Sequence, residues 1–272
     1  MTAKDLKNAL LQEAVQGKLV PQIASEGNAR DLLEEIRKEK LSHGLDLRLE
    51  ASLAINAKSG KKKSKKETAL AGSNPCDITE DEIPFDIPES WCWCRLGEIL
   101  KEIIVPQRDK PKEFGGTIPW CRIEDRDGDF LNGTKSNQYV SDKTIQEMNL
   151  KVNPVGTVLS ASSGASIGSI LINTVECCTN QTFIGLVSGK NLLNNYLYYY
   201  LHSIIPKLKL MGSGTTLAYI SREKYATMPF PLPPVAEQKR IVRALEAILP
   251  VIDEYRKKEE ELARLILSRK II

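Results

Sequence analysis

IVRALEAILPVIDEYRKKEEELARLI, residues 241 to 266, decides how the rest of the chain is to be read. Ile241, Leu245, Ile248, Ile252, Tyr255, Glu259, Leu262 and Ile266 follow one another at alternating spacings of four and three, which keeps side chains on one side of a helix. Only Glu259 interrupts the apolar stripe. Most helical stability comes from packing such a face, so another helix must cover it. Pro250 lies inside the run, lacks an N–H and crowds the carbonyl of Glu246, which predicts a kink or a restart. At ~1.5 Å per residue, a helix from Glu237 to Lys270 reaches about 50 Å, more than a compact domain of this length needs. Part of it should project.

Toward the N-terminus the period changes from helical to alternating. GTVLSAS (156–162), GSILINT (168–174) and QTFIGLVSG (181–189) are β-branched strands in the making, with Gly at their boundaries. TIPWCRIED and GDFLNG flank Asp127-Gly128, a hairpin signal, and Trp91, Trp93, Arg95 and Leu96 suggest a short entering strand. NNYLYYYLHSIIPKLK (194–209) reads as a helix up to Pro206, with Tyr196, Tyr198, Tyr199 and Tyr200 as packing residues. Leu6, Leu10 and Ala14 mark a first helix, ended by Gly17 and Pro21. Asn28 and Asp31 start a second, with Leu32, Leu33, Ile36 and Leu41 as its stripe. Six Lys between Lys58 and Lys66 then form a solvated linker. The expected architecture is α+β: a helical segment at 1–57, a lysine-rich linker at 58–82, a mixed strand-rich domain at 83–234, and a long helix at 235–272 forming a coiled-coil arm.

The 272 residues are 42% hydrophobic and 27% charged, the balance of a soluble globular protein. No apolar run approaches the ~18 residues of a membrane span. The opening MTAKDLKNALLQEAVQGK contains no apolar signal-peptide core, so a cytoplasmic location is expected. Reduced thiols follow. Cys76, Cys92, Cys94, Cys121, Cys177 and Cys178 show no paired C-x-x-C spacing and no nearby His, and the only histidines are His43 and His202. Neither a zinc site nor a His dyad is expected. The net charge of +3 is spread evenly, with 14 positive and 14 negative charges over 1–83, 15 and 14 over 84–231, and 9 and 7 over 232–272. An anionic partner would have to be met by local patches.

Candidate catalytic motifs fail on spacing. GLVSGKN (185–191) is one residue short of a phosphate-binding loop, and Asn191 stands where Ser or Thr should hold magnesium. DRDGD (125–129) has its Gly too early for a calcium loop and reads as a turn. SSGASIGS (162–169) lacks the third Gly of a dinucleotide fingerprint, and no Asn-Pro-Pro-aromatic tetrad for amino methylation occurs. No catalytic residue, metal or cofactor is expected. What remains is a binding domain with polar loops. Gln107, Arg108, Lys110 and Lys112 form one; Lys135, Ser136, Asn137 and Gln138 form another. Arg and amide side chains can read base edges, and Lys and hydroxyls can hold phosphates.

Several strings carry a family resemblance. GSGTTLAYISREKYATMPFPLPPVAEQKRIVRALEAILPVIDEY (212–255) resembles the junction where a target-recognition domain of type I restriction-modification specificity subunits runs into its long helix. LKNALLQEAVQGKLVPQ, ARDLLEEIRKEK and EIPFDIPESWCWCRLGEIL resemble the spacer before such a domain, and GTIPWCRIED, GTVLSASSGASIGSILI and CTNQTFIGL resemble its internal segments. The resemblance implies a non-catalytic subunit that binds double-stranded DNA, docks modification (methyltransferase) subunits and, through the complex, restriction subunits. Complete members have two recognition domains; this chain has one, so it resembles a half-specificity subunit. Pairing with a second copy or another half-subunit is then expected through Ile241, Leu245, Ile248, Ile252, Tyr255, Leu262 and Ile266. The expected DNA-contacting set is Gln107, Arg108, Lys110, Lys112, Arg122, Lys135, Asn137, Ser162, Ser163, Ser166, Gln181, Ser213, Thr215, Thr216 and Arg222; the small residues permit close backbone approach to phosphate. Two other readings stay open: a catalytic restriction or methylation enzyme, which would need a cofactor motif, and a helical adaptor that binds modification subunits without selecting DNA.

Overall fold

A computed structural model of the chain describes residues 1–42, 78–212 and 218–269. The lysine run and Ser213, Thr215 and Thr216 lie outside the described residues. Helix α1 (Ala3–Val15) starts in a capping box, with Thr2 Oγ1 accepting the Asp5 N–H and the Asp5 carboxylate accepting the Thr2 N–H, and the chain leaves it through Gly17 at φ 72°. At the start of α2 (Ala29–Ser42), Asn28 Oδ1 accepts the Arg30 N–H at 2.8 Å. Both helices put their apolar faces, including Leu11, Ala14, Val15, Leu33 and Ile36, into one core with Trp91, Tyr196, Phe230, Ile241 and Leu245.

Among the described residues the strands form three sheets. β1 (Cys92–Arg95) runs through a one-turn helix α3 (Leu96–Ile99) into β2 (Leu100–Ile104), followed by β3 (Ile118–Cys121), β4 (Phe130–Leu131) and β5 (Tyr139–Val140). Helix α4 (Asp142–Glu147) leads to β6 (Val152–Asn153), β7 (Val158–Ala161), β8 (Ile170–Asn173), β9 (Cys177–Thr179) and β10 (Phe183–Ser188). Then come α5 (Asn194–Ser203), α6 (Ile205–Gly212), α7 (Arg222–Ala226), β11 (Pro229–Leu232) and α8 (Val235–Arg269). The orders are β2-β10-β7-β8-β4, β5-β3-β9-β6 and β1-β11.

Two local expectations change. Asp127 and Phe130 do exchange both backbone hydrogen bonds around Gly128, at 2.8 and 3.0 Å. The flanking strands do not form a hairpin, because the 3-10 turn Ile123–Asp125 redirects the chain and β4 runs parallel to β8 in the other sheet. The 194–209 helix divides at Ile204, and Pro206 sits in the first turn of α6, where its missing N–H costs nothing. Tyr196 and Tyr200 are packing residues whose hydroxyls donate to the carbonyls of Pro231 and Pro229.

Helix α8 runs through Pro250 without restarting, about 50 Å at ~1.5 Å per residue. Its cover comes from its own chain. Ala3, at the head of α1, donates its N–H to the Glu259 carboxylate at 2.9 Å, while at the other end Gln22 donates to Glu237 and Arg240 grips the Glu26 carboxylate with two N–H groups. The two helices are therefore antiparallel, and Glu259 is where the long helix caps the short one. Ile241 and Leu245 are fully buried in the chain's own core, so the expectation that they face a second copy is corrected. Ile252 is half-buried, whereas Ile248, Val251, Tyr255, Leu262, Leu265 and Ile266 are exposed. At ~100° per residue these six fall within an arc of about 100°, beside the face that α1 covers.

His202 on α5 packs against the Tyr198 ring at 4.3 Å, and burial pushes its pKa down to about 4. Between that value and ~6.5 the unfolded chain takes up a proton that the folded chain refuses, so stability is full above ~6.5 and falls as the pH drops toward 4. In His202→Gln, thermal unfolding followed from pH 7 to 4 should lose that part of the slope.

Candidate nucleic-acid interface

Strand register decides which loops meet. In the larger sheet Ile104 lies opposite Gly185, Ala161 opposite Phe183 and Ser160 opposite Ile170, so β2 and β7 end where β8 and β10 begin. In the smaller sheet β3 and β9 are parallel and end together at Cys121 and Thr179, with the start of β6 beside them and β5 opposite β3. Only Asn180, Gln181 and Thr182 separate β9 from β10, which brings the two sheets to one common edge.

Backbone hydrogen bonds stitch the loops at this edge. Asn180 donates to the Cys121 carbonyl, Ser162 to Thr182, Ile220 to Ser162 and Gly164 to Ala218, while Trp120 donates to Gln138. Arg122 and Lys135 are tied through Asp125, and Asn137 turns the same loop with φ 55°. Gln107 donates its amide to the carbonyl of Asn149, just before β6. Lys110 sits 5.5 Å from the Phe114 ring centre and 5.7 Å from that of Trp120, a cation stacked on two aromatic faces. Arg108 and Lys112 are exposed on the same connection. Ser163 bridges to Tyr219, Ser166 closes a short turn, Gln181 is exposed, and Arg222 is half-buried in the first turn of α7 behind the Ser221 cap.

The expected set thus gathers at one edge, with one correction among the described residues. Ser162 is fully buried and its hydroxyl donates to the Thr182 carbonyl at 3.1 Å, so it holds two loops together and presents nothing outward. Phe114, Arg126, Lys151 and Tyr219 also lie exposed on these segments. An aromatic beside a cation, as in Lys110-Pro111-Lys112-Glu113-Phe114, is the signal that could have pointed to Phe114.

Burial pushes Cys92 and Cys178 up to about 12, and the neighbouring Cys177 thiol together with burial pushes Cys121 well up, so these thiols stay protonated. Among the described residues no group of three or more His, Cys, Asp and Glu is placed to hold a metal ion, and no helix is long and apolar enough to cross a membrane.

The structure is thus an α+β domain carried on a long helix, with basic, amide and hydroxyl side chains at its strand ends. Residues 88–264 match the family model described as the type I restriction modification DNA specificity domain, and the chain belongs to that family. It is 29% identical over 186 residues to the putative type I restriction enzyme MjaX specificity subunit of Methanocaldococcus jannaschii, covering 66% of this chain and 41% of that protein. It is 24% identical over 271 residues to the EcoEI specificity subunit of Escherichia coli, covering 92% and 41%. In fold it resembles the crystal structure of the HsdS subunit from Thermoanaerobacter tengcongensis, with TM-score 0.53, 23% identity and coverage of 87% of this chain and 53% of that one. The chain spans about two fifths of the length of these curated relatives.

Ser162→Ala should lower stability by ~0.5–1.5 kcal/mol, toward the low end because the Ser162 N–H still bonds Thr182. Equilibrium unfolding in urea measures it.

Proposed function

We propose that the chain is a DNA-recognition unit that reads one half of a bipartite site and carries no catalytic group of its own. The observation that supports this most is the convergence at one edge of Gln107, Arg108, Lys110, Lys112, Arg122, Lys135, Asn137, Ser163, Ser166, Gln181 and Arg222 from connections far apart in sequence. Ser213, Thr215 and Thr216 belong to the same proposal through the adjoining segment. Double-stranded DNA is the partner such a surface suits: cations for phosphates, and Arg and amides for base edges. Modification subunits would dock on the helical side and supply the chemistry, with restriction subunits joining through that complex.

The exposed stripe Ile248, Val251, Tyr255, Leu262, Leu265 and Ile266 favours a further step, pairing with a second half-subunit through α8. A closed pair of copies would relate two recognition domains by a two-fold axis and read a symmetric, interrupted sequence. Pairing with a different half-subunit would give an asymmetric one.

Replacing Arg108, Lys110 and Lys112 together by Ala should weaken binding to all duplexes alike and reduce the slope of log affinity against log salt by roughly 2 to 3. Arg122→Ala or Asn137→Ala should cost ~1–3 kcal/mol on the preferred sequence and relax one position of it. Fluorescence anisotropy over a salt series reads both; unchanged affinity in the triple variant would remove this edge from the DNA surface. Tyr255→Glu with Leu262→Glu should turn a dimer into a monomer in sedimentation equilibrium, and a wild-type chain that is monomeric at micromolar concentration would refute homodimer pairing.

A further inference from the structure

Asp125 is a carboxylate with only 4% of its surface exposed, in the turn between β3 and β4. Its two oxygens serve different segments. Oδ2 accepts the backbone N–H of Arg122 at 2.7 Å, and Oδ1 accepts that of Lys135, ten residues further along, at 2.6 Å. The Lys135 ammonium then donates to the carbonyl of Arg126 at 2.6 Å, closing the link from the other side. Burying a carboxylate is costly unless its lone pairs are filled, and bonds to an ionised acceptor are short and about twice as strong as neutral ones. A turn alone needs none of this, since an exposed Asn or Gly would serve. The carboxylate is spent on fixing the spacing between the start of one basic loop and the middle of another.

We propose that Asp125 is a positioning residue for base recognition, one that touches no DNA and sets the distance between Arg122 and the Lys135–Gln138 loop so that both meet the same stretch of a duplex. The inference rests on the reading of this edge as the DNA surface. A base-reading side chain must be held in register to discriminate, whereas a phosphate contact tolerates looseness. Loss of the Asp125 clasp therefore lowers specificity more than affinity. Asn is nearly isosteric, but its NH2 group faces an N–H donor, so Asp125→Asn keeps one of the two bonds and opposes the other.

The experiment compares wild type and Asp125→Asn on a duplex selected from a random-sequence library with the wild-type chain, and on an unrelated duplex. The expected result is at least a tenfold fall in the ratio of the two affinities, with the salt slope and the affinity for the unrelated duplex changed by less than twofold. Amide hydrogen exchange without DNA gives a second reading: protection at Arg122 and Lys135 should fall while that of the core strand β10 holds. In the Asp125→Asn background, Arg122→Ala should cost little further specificity. An unchanged affinity ratio, or unchanged protection at both amides, overturns the proposal. A uniform loss of affinity and of β10 protection also overturns it, because that is the signature of a residue needed only for folding. If the wild-type chain shows no preference among duplexes, the DNA reading of the edge is what fails, and the exchange experiment still decides whether Asp125 holds the two loops.

Discussion

The antiparallel contact between α1 and the stretch of α8 that ends at Glu259 is the constraint on which the other elements depend. It is apolar in the middle, through Leu11, Ala14, Ile241 and Leu245, and polar at both ends. Glu259 meets the free N–H of Ala3 at one end, and the Glu26–Arg240 and Gln22–Glu237 pairs close the other. Polar ends of this kind fix the register of two helices that hydrophobic burial alone would let slide. The adjacent Gln238 makes the same joint rigid toward the strands: its amide donates to the carbonyls of Asn191 and Pro233 and its oxygen accepts from Leu193. Residues 237 to 240 thereby fasten the arm to the segment that follows α1, to the entry of α5 and to the end of β11.

The edge proposed for DNA recognition follows from the sheets rather than from any one loop. Residues 107, 122, 135, 163, 181 and 222 have no local reason to be neighbours. The parallel pairing of β3 with β9 and the three-residue step from β9 to β10 make them so. In the proposed DNA surface, phosphate contacts would come from the long β2–β3 connection and shape-sensitive ones from shorter loops held at both ends. Asp125 and Ser162 are the buried polar groups that hold those shorter loops.

Much of this was legible in the sequence. The heptad spacing points to α8, apolar spacing ended by Gly17 to α1, the Asn28 cap to α2, and β-branched alternation to β7, β8 and β10 to within two residues at each end. The partner of the stripe was not legible: a heptad says that a helix is covered, not by which helix, and α1 is more than two hundred residues away. A restart at Pro250 does not occur, because one missing hydrogen bond is tolerated where packing on α1 and α5 holds both sides. The hairpin at Asp127-Gly128 misled because turn chemistry specifies the turn and not the sheet that each flank joins. Among the candidate site residues, residue type alone singles out the Lys, Arg and Gln side chains, most of which are exposed. Residue type is silent at Ser162, because a hydroxyl that faces inward is spelled the same way as one that faces out, and Asp125 reads in sequence only as part of a turn.

Strand β11 has a consequence of another kind. Pro229 and Pro231 lack amide hydrogens, and the carbonyls of Pro229, Phe230 and Pro231 are engaged by Tyr200, the Cys94 thiol and Tyr196. The strand can pair with β1 and has little left to offer a stranger. In a protein proposed to assemble through helices, this keeps association in one channel: a crowded or freshly synthesised pool of chains has no open ribbon here on which a second chain could polymerise.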